Sequence, residues 1–163
     1  MVRLDTLPSV RPVVCIAPSA VRTDVARGLL PDAVPHKDAA ANAGRSALLV
    51  AALTSLADSG EPSGEPALLL DATQDWLHQD YRAAAMPETH ALMAGLRAAG
   101  IPAVVSGAGP SVLAFPGVRP DNRCHLDSLG SIVRETGIKW QISSLDVERQ
   151  GARVLRSGSS PGY

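Results

Sequence analysis

An α+β domain, with helices packed on one face of a mainly antiparallel sheet, is predicted by three features of the sequence. Its segments read in the order strand, helices, hairpin, helix, strand. Apolar residues make up 45% of 163 positions, enough for a single core, but only 3% are aromatic, so Ala, Leu and Val must build it and backbones must pack closely. Glycine and proline divide the chain into short segments, and no internal repeat is visible.

The first strand is RPVVCIAP, residues 11–18, a β-branched run bounded by proline on both sides. TDVARGLL, residues 23–30, follows as a short helical turn stopped by Pro31. Asp38, placed after Pro35, is the expected N-cap of a long helix through AAANAGRSALLVAALTSLA, whose apolar residues on most faces predict burial on more than one side. DSGEPSGEP, residues 58–66, reads as a solvent loop. Pro66 suits the first position of a helix through ALLLDATQDWL that puts Leu69, Thr73 and Trp76 near one face, and HQDYRAAAM follows as a connector.

Pro87 and Gly100 bracket the next helix, with Leu92, Met93 and Leu96 inward and Arg97 solvated. IPAVVSGAGPSVLAF predicts two strands joined through GAGP. Residues 127–136 suit a helix, KWQISSLDVERQGARVL a last strand or hairpin, and RSGSSPGY a frayed tail, giving one domain over residues 1–155 and a tail over 156–163.

A net charge of −1 and a pI near 6.4 give no field for a phosphodiester backbone, which argues against a nucleic-acid partner. No apolar run reaches the roughly 20 residues of a membrane span, and MVRLDTLPSV has no apolar core of a signal peptide, so a cytoplasmic location is expected. Cys15 and Cys124, read as lying in a strand and a loop, have no metal-ligand spacing and are expected to be free thiols.

Three patterns could carry chemistry. In SGAGPS, residues 106–111, two glycines in a turn let a backbone approach a ligand and offer N–H groups to an anion, although a hairpin needing positive φ explains the same residues. Thr23 and Arg27, four apart on a helical turn, could grip a carboxylate or could form a solvated pair. Arg82, in HQDYR, could present a bidentate fork to a carboxylate, or else be solvated, with His78 ending a helix and Tyr81 packing on the core. His36, His90 and His125 have no partner spacing, and Asp71 with Asp75 reads as a wet helix face.

The order and setting of these patterns resemble the homoserine kinases of the GHMP small-molecule kinase family, in an actinomycete-like variant and in the C-terminal half only. RTDVARGLLP resembles the segment in which a threonine and an arginine lie near bound homoserine. WLHQDYRAAAMP resembles the family pattern HxxYRxxxMP, whose arginine contacts the homoserine carboxylate, and SGAGPSVLAF resembles the third family motif. LDVERQGARVL is similar to the family's closing strand.

The resemblance implies a ferredoxin-like GHMP kinase C-terminal domain in which Thr23, Arg27, Arg82 and, less directly, Asn42 are substrate-side residues. Ser106, Gly107, Ala108, Gly109 and Pro110 would then form the loop that backs the phosphate-binding loop of the other half. The implied reaction moves the γ-phosphoryl of Mg-ATP to the hydroxyl of L-homoserine, giving O-phospho-L-homoserine for threonine synthesis. The sequence contains nothing like PxxxGLGSSA, the family's ATP phosphate loop, so ATP and Mg are expected in the complete enzyme and neither on this chain alone. L-homoserine is the implied ligand. The chain could be an inactive part of a kinase, a non-catalytic small amino acid binding module, or a subunit completed by a separately encoded N-terminal half, with self-association through exposed apolar surface as a further expectation.

Overall fold

The apolar run VVCI forms the first strand, which lies between two others in the sheet. In a computed structural model, which describes residues 4–8, 10–54, 66–117 and 123–152, β1 is Val13–Ile16. Helices α1 (Thr23–Gly28), α2 (His36–Thr54), α3 (Pro66–Ala72), α4 (Gln79–Arg82) and α5 (Pro87–Ala98) follow, with a 3₁₀ turn at Ala83–Ala85. Then come β2 (Ala103–Val105), β3 (Val112–Ala114), α6 (Arg123–Glu135) and β4 (Gln141–Ser144). The sheet order among the described residues is β2-β3-β1-β4, every pair antiparallel, so β3 is inserted between β1 and β2 in the split βαβ arrangement of ferredoxin-like folds.

Period-two alternation decides which face of the sheet is covered. Val13 and Cys15 of β1, Ala103 of β2, and Val112 and Ala114 of β3 are buried together with Leu92, Met93 and Leu96 of α5 and Leu129 and Val133 of α6. Ile101 and Trp140 close the same cluster. Small Ala103 and Ala114 stand opposite each other in register, and both are fully buried, as an aromatic-poor core requires. A second cluster joins Leu7, Val10, Ala52 and Leu69, flanked by Leu49, Leu53, Phe115 and Val147.

The expected boundaries of two helices shift. Helix α2 begins at His36, because the Pro35 carbonyl accepts from the N–H groups of Asp38 and Ala39 and puts Asp38 inside the first turn. Only Ala52 of its described side chains is buried, and Val50 is 48% exposed, so the expected burial on more than one side is not found. The helix seats Leu49, Ala52 and Leu53 against the second cluster, and much of the rest of its apolar surface faces outward.

Helix α3 stops at Ala72, short of the expected Leu77. Thr73 Oγ1 donates back to the Leu69 carbonyl (2.7 Å), while Arg97 Nη2 donates to the Leu70 carbonyl (2.6 Å). Arg97 Nη1 also donates to Thr73 Oγ1 (2.8 Å) and the Ala103 carbonyl (3.2 Å). Arg97 is therefore not solvated. Burial pulls its pKa below the ordinary guanidinium value, an effect Asp71 opposes, and the side chain holds the end of α3 to β2.

Other expectations also change. The connector after α3 contains α4, so His78 precedes a helix rather than ending one, and Tyr81 is 36% exposed rather than packed in the core. Helix α6 begins at Arg123, which puts Cys124 in a helix and not in a loop. The last strand is Gln141–Ser144, and residues 145–152 of the supposed closing strand contain no strand. Residues 58–65 of the expected loop, residues 153–155 and the tail 156–163 lie outside the described residues.

Cys15 is a free thiol, fully buried, and burial pushes its pKa up to about 11 from 9.0. The folded state holds this proton more tightly than the unfolded chain does. The associated stability is complete below about pH 9 and falls as pH rises from there through about 11. In a Cys124→Ser background, thiol labelling at pH 8 is expected to be blocked in the native protein and rapid in urea; fast native labelling would contradict this burial.

Candidate functional site

The site is organised around α4, a single helical turn whose position is fixed by one carboxylate. Asp75 Oδ1 accepts from the Leu77 N–H (2.8 Å) and Oδ2 from the Gln79 N–H (3.2 Å), the latter a donor that the start of the helix leaves open. Asp75 Oδ1 also lies 3.2 Å from His78 Nδ1. Asp75 is thus a capping group rather than half of a wet acidic face, whereas Asp71 is exposed and faces Arg45 at 3.9 Å.

Two side chains of α4 reach the hairpin. Gln79 Oε1 accepts from the Val105 N–H at the end of β2 (2.8 Å). Arg82, only 9% exposed, donates from Nη1 to the Gly107 carbonyl (3.3 Å) and from Nε to the Ala26 carbonyl of α1 (3.3 Å). A cleft of about 300 Å³ runs along this seam, lined by Asp75, His78, Gln79, Arg82, Val104, Val105 and Gly107.

The glycine loop is rigidly placed. Ser106 N–H donates to the Ser111 carbonyl (2.8 Å) and Gly109 N–H to the Ser106 carbonyl (3.0 Å), which closes the turn. Gly107 and Gly109 have φ of 61° and 87°, the left-handed region that glycine adopts without strain. A Cβ on Gly109 would lie 2.6 Å from Met86 Sδ and 3.1 Å from Val105 Cγ1. The buried Thr89 hydroxyl donates to the Pro110 carbonyl (2.6 Å), tying the loop to the start of α5.

The sequence-predicted residues divide in space. Arg82 and Gly107 share the cleft, and Ser106, Ala108, Gly109 and Pro110 form the loop behind Gly107. Thr23 and Arg27 stand exposed on α1, which meets Arg82 through Ala26; neither lines the cleft. Asn42 is also outside it, its Oδ1 accepting from the Trp76 N–H (3.1 Å) and so tying α2 to the connector. Asp75, His78 and Gln79 line the cleft without having been assigned chemistry from sequence, although their position beside Arg82 in HQDYR is a usable signal. His90, expected to lack a partner, has Nε2 at 3.6 Å from Asp80.

Among the described residues no group of three or more His, Cys, Asp or Glu side chains could hold a metal ion. No helix among the described residues is long and apolar enough to cross a membrane.

Comparison with known proteins gives these positions a context. Residues 49–137 match the family model described as GHMP kinases C terminal. The chain is 49% identical over 154 residues to a homoserine kinase of Streptomyces avermitilis, covering 94% of this chain and 45% of that protein. It is 44% identical over 154 residues to a homoserine kinase of Clavibacter michiganensis, covering 93% and 45%. The crystal structure of homoserine kinase from Cytophaga hutchinsonii shares the fold, with a TM-score of 0.71 at 20% identity over 90% of this chain and 44% of that one. The chain thus spans about half the length of the curated relatives it matches. With the family match covering more than half of its residues, the split βαβ sheet and the glycine hairpin between β2 and β3, the chain belongs to the GHMP kinase family and carries its C-terminal domain.

Proposed function

We propose that this chain is the substrate-side part of a homoserine kinase, an enzyme that transfers the γ-phosphoryl group of ATP to the hydroxyl of L-homoserine. The supporting observation is similarity to homoserine kinases across 94% of the chain, which joins the α1 helix, Arg82 and the glycine loop in one protein. The product, O-phospho-L-homoserine, serves threonine synthesis in the cytoplasm. Phosphoryl transfer depends mainly on positioning and charge stabilisation, so the chemistry divides between a half that holds the nucleotide and a half that holds the acceptor.

In this reading the chain takes the acceptor. Arg82 and Arg27 fix the amino acid carboxylate, with Thr23 and Asn42 on the substrate side. Residues 106–110 brace the phosphate loop contributed by the nucleotide half. Binding of ATP and magnesium belongs to that half, which a separately encoded chain could supply, and outward apolar surface such as Val50 could mediate self-association instead.

A coupled ADP-release assay tests the division. The chain alone is expected to show no homoserine-dependent turnover, and addition of a matching nucleotide-binding half is expected to produce it. Turnover by the chain alone would overturn the division of labour. Homoserine binding with no turnover under any pairing would favour a non-catalytic amino acid binding module.

A further inference from the structure

We propose that Gln79 is a second carboxylate-binding residue of the α4 cleft, presenting its amide Nε2 beside Arg82. The inference rests on the acceptor-side reading above and deepens it by naming what else recognises the ligand's carboxylate.

The identity of the amide atoms follows from a donor that cannot change. The Val105 main-chain N–H can only donate, so the atom 2.8 Å from it must be the Gln79 oxygen. That contact commits Oε1 and leaves the –NH₂ end with two donors. Gln79 is about nine-tenths buried, and Nε2 has no hydrogen-bond partner among the described residues. A buried donor pair without a partner is costly, about 1–3 kcal/mol, and is found where a ligand or water supplies the acceptor.

Arg82 is in the same condition. Its Nε and Nη1 are directed at the Ala26 and Gly107 carbonyls, while Nη2 has no partner among the described residues. Both residues line the cleft of about 300 Å³, three positions apart on α4. The shared resource is therefore a set of N–H donors, one group charged and one neutral, which suits the two oxygens of a carboxylate.

Asp75 lines the same cleft, so its total charge with Arg82 is near zero. A dianionic phosphate gains little there. A small zwitterion fits better, its carboxylate on Gln79 and Arg82 and its ammonium group toward the Asp75 side.

The discriminating substitution is Gln79→Glu. It keeps an oxygen to accept from Val105 N–H and keeps the side-chain shape, but it replaces the Nε2 donors by a carboxylate oxygen. A residue that only staples α4 to β2 would tolerate this change; a carboxylate ligand would not. The 163-residue chain, labelled for NMR, is titrated with L-homoserine, with 3-aminopropan-1-ol, which lacks the carboxylate, and with inorganic phosphate. The expected result is a shift of the Val105 and Gly107 amides by homoserine alone, and at least a roughly 10-fold weaker affinity in Gln79→Glu with its melting temperature retained.

Equal affinity in the wild type and Gln79→Glu would overturn the assignment. So would phosphate or 3-aminopropan-1-ol matching homoserine, or no shift with homoserine at all. If Gln79→Glu itself fails to fold, Gln79→Met with retained wild-type affinity would count against the proposal in the same way. The ADP-release assay separately decides the kinase reading.

Discussion

Replacing Arg82 by alanine in a kinase reconstituted with a nucleotide-binding half is expected to lower kcat/KM for homoserine by roughly 30- to 1000-fold. That range corresponds to about 2–4 kcal/mol, the scale of a charge-assisted bond lost from a partly buried carboxylate. Two tethers aim this guanidinium, at the Ala26 and Gly107 carbonyls, so the loss also frees α1 from the glycine loop. Arg82→Lys is expected to rescue poorly, because an ammonium group cannot serve both carbonyls and a planar anion from one position. Arg27→Ala is expected to behave similarly if both arginines share the carboxylate, and the KM for ATP should change far less in each case.

The comparison residue is Arg134, exposed and bonded to the Ser131 hydroxyl. Steady-state kinetics showing equal, small effects for Arg82→Ala and Arg134→Ala would return Arg82 to an ordinary structural role.

Arg97→Ala is expected to destabilise the fold by about 3 kcal/mol, measured as a lower urea midpoint at unchanged slope. The side chain serves the Leu70 carbonyl at 2.6 Å, the Thr73 hydroxyl at 2.8 Å and the Ala103 carbonyl at 3.2 Å. Truncation would leave the end of α3 with unsatisfied acceptors, and Thr73 and Ala103 are almost wholly buried. Arg97→Lys should recover only part of the loss, since three directions need a fork rather than a point charge. A loss below about 1 kcal/mol would show that water replaces the guanidinium at these carbonyls.

Arg97 also marks where sequence reading stops. In LMAGLRAAG it looks like any arginine near a helix end, and nothing local announces acceptors as distant in sequence as Leu70. The same holds for Asn42 and Gln79, whose partners are 34 and 26 residues away. What depends on neighbours was readable: the existence of the first strand, the inward Leu92, Met93 and Leu96 of α5, its proline start, and the glycine hairpin. The burial expected for α2 was misjudged because alanine and leucine content measures how much surface is apolar, not what lies against it. Arg82 and Gly107 were legible as candidates, but their meeting across one cleft is a property of the sheet order and of the α4 turn.

The sheet order has a consequence for biosynthesis. β1, at residues 13–16, bonds on one side to residues 112–114 and on the other to residues 141–144. On the ribosome this strand is made before either partner: β3 follows about a hundred residues later, and β4 about thirty residues after that. Until β3 emerges its VVCI segment offers two unpaired edges and until β4 emerges one, so a chain arrested before β4 would expose an aggregation-prone strand edge rather than a smaller version of the domain.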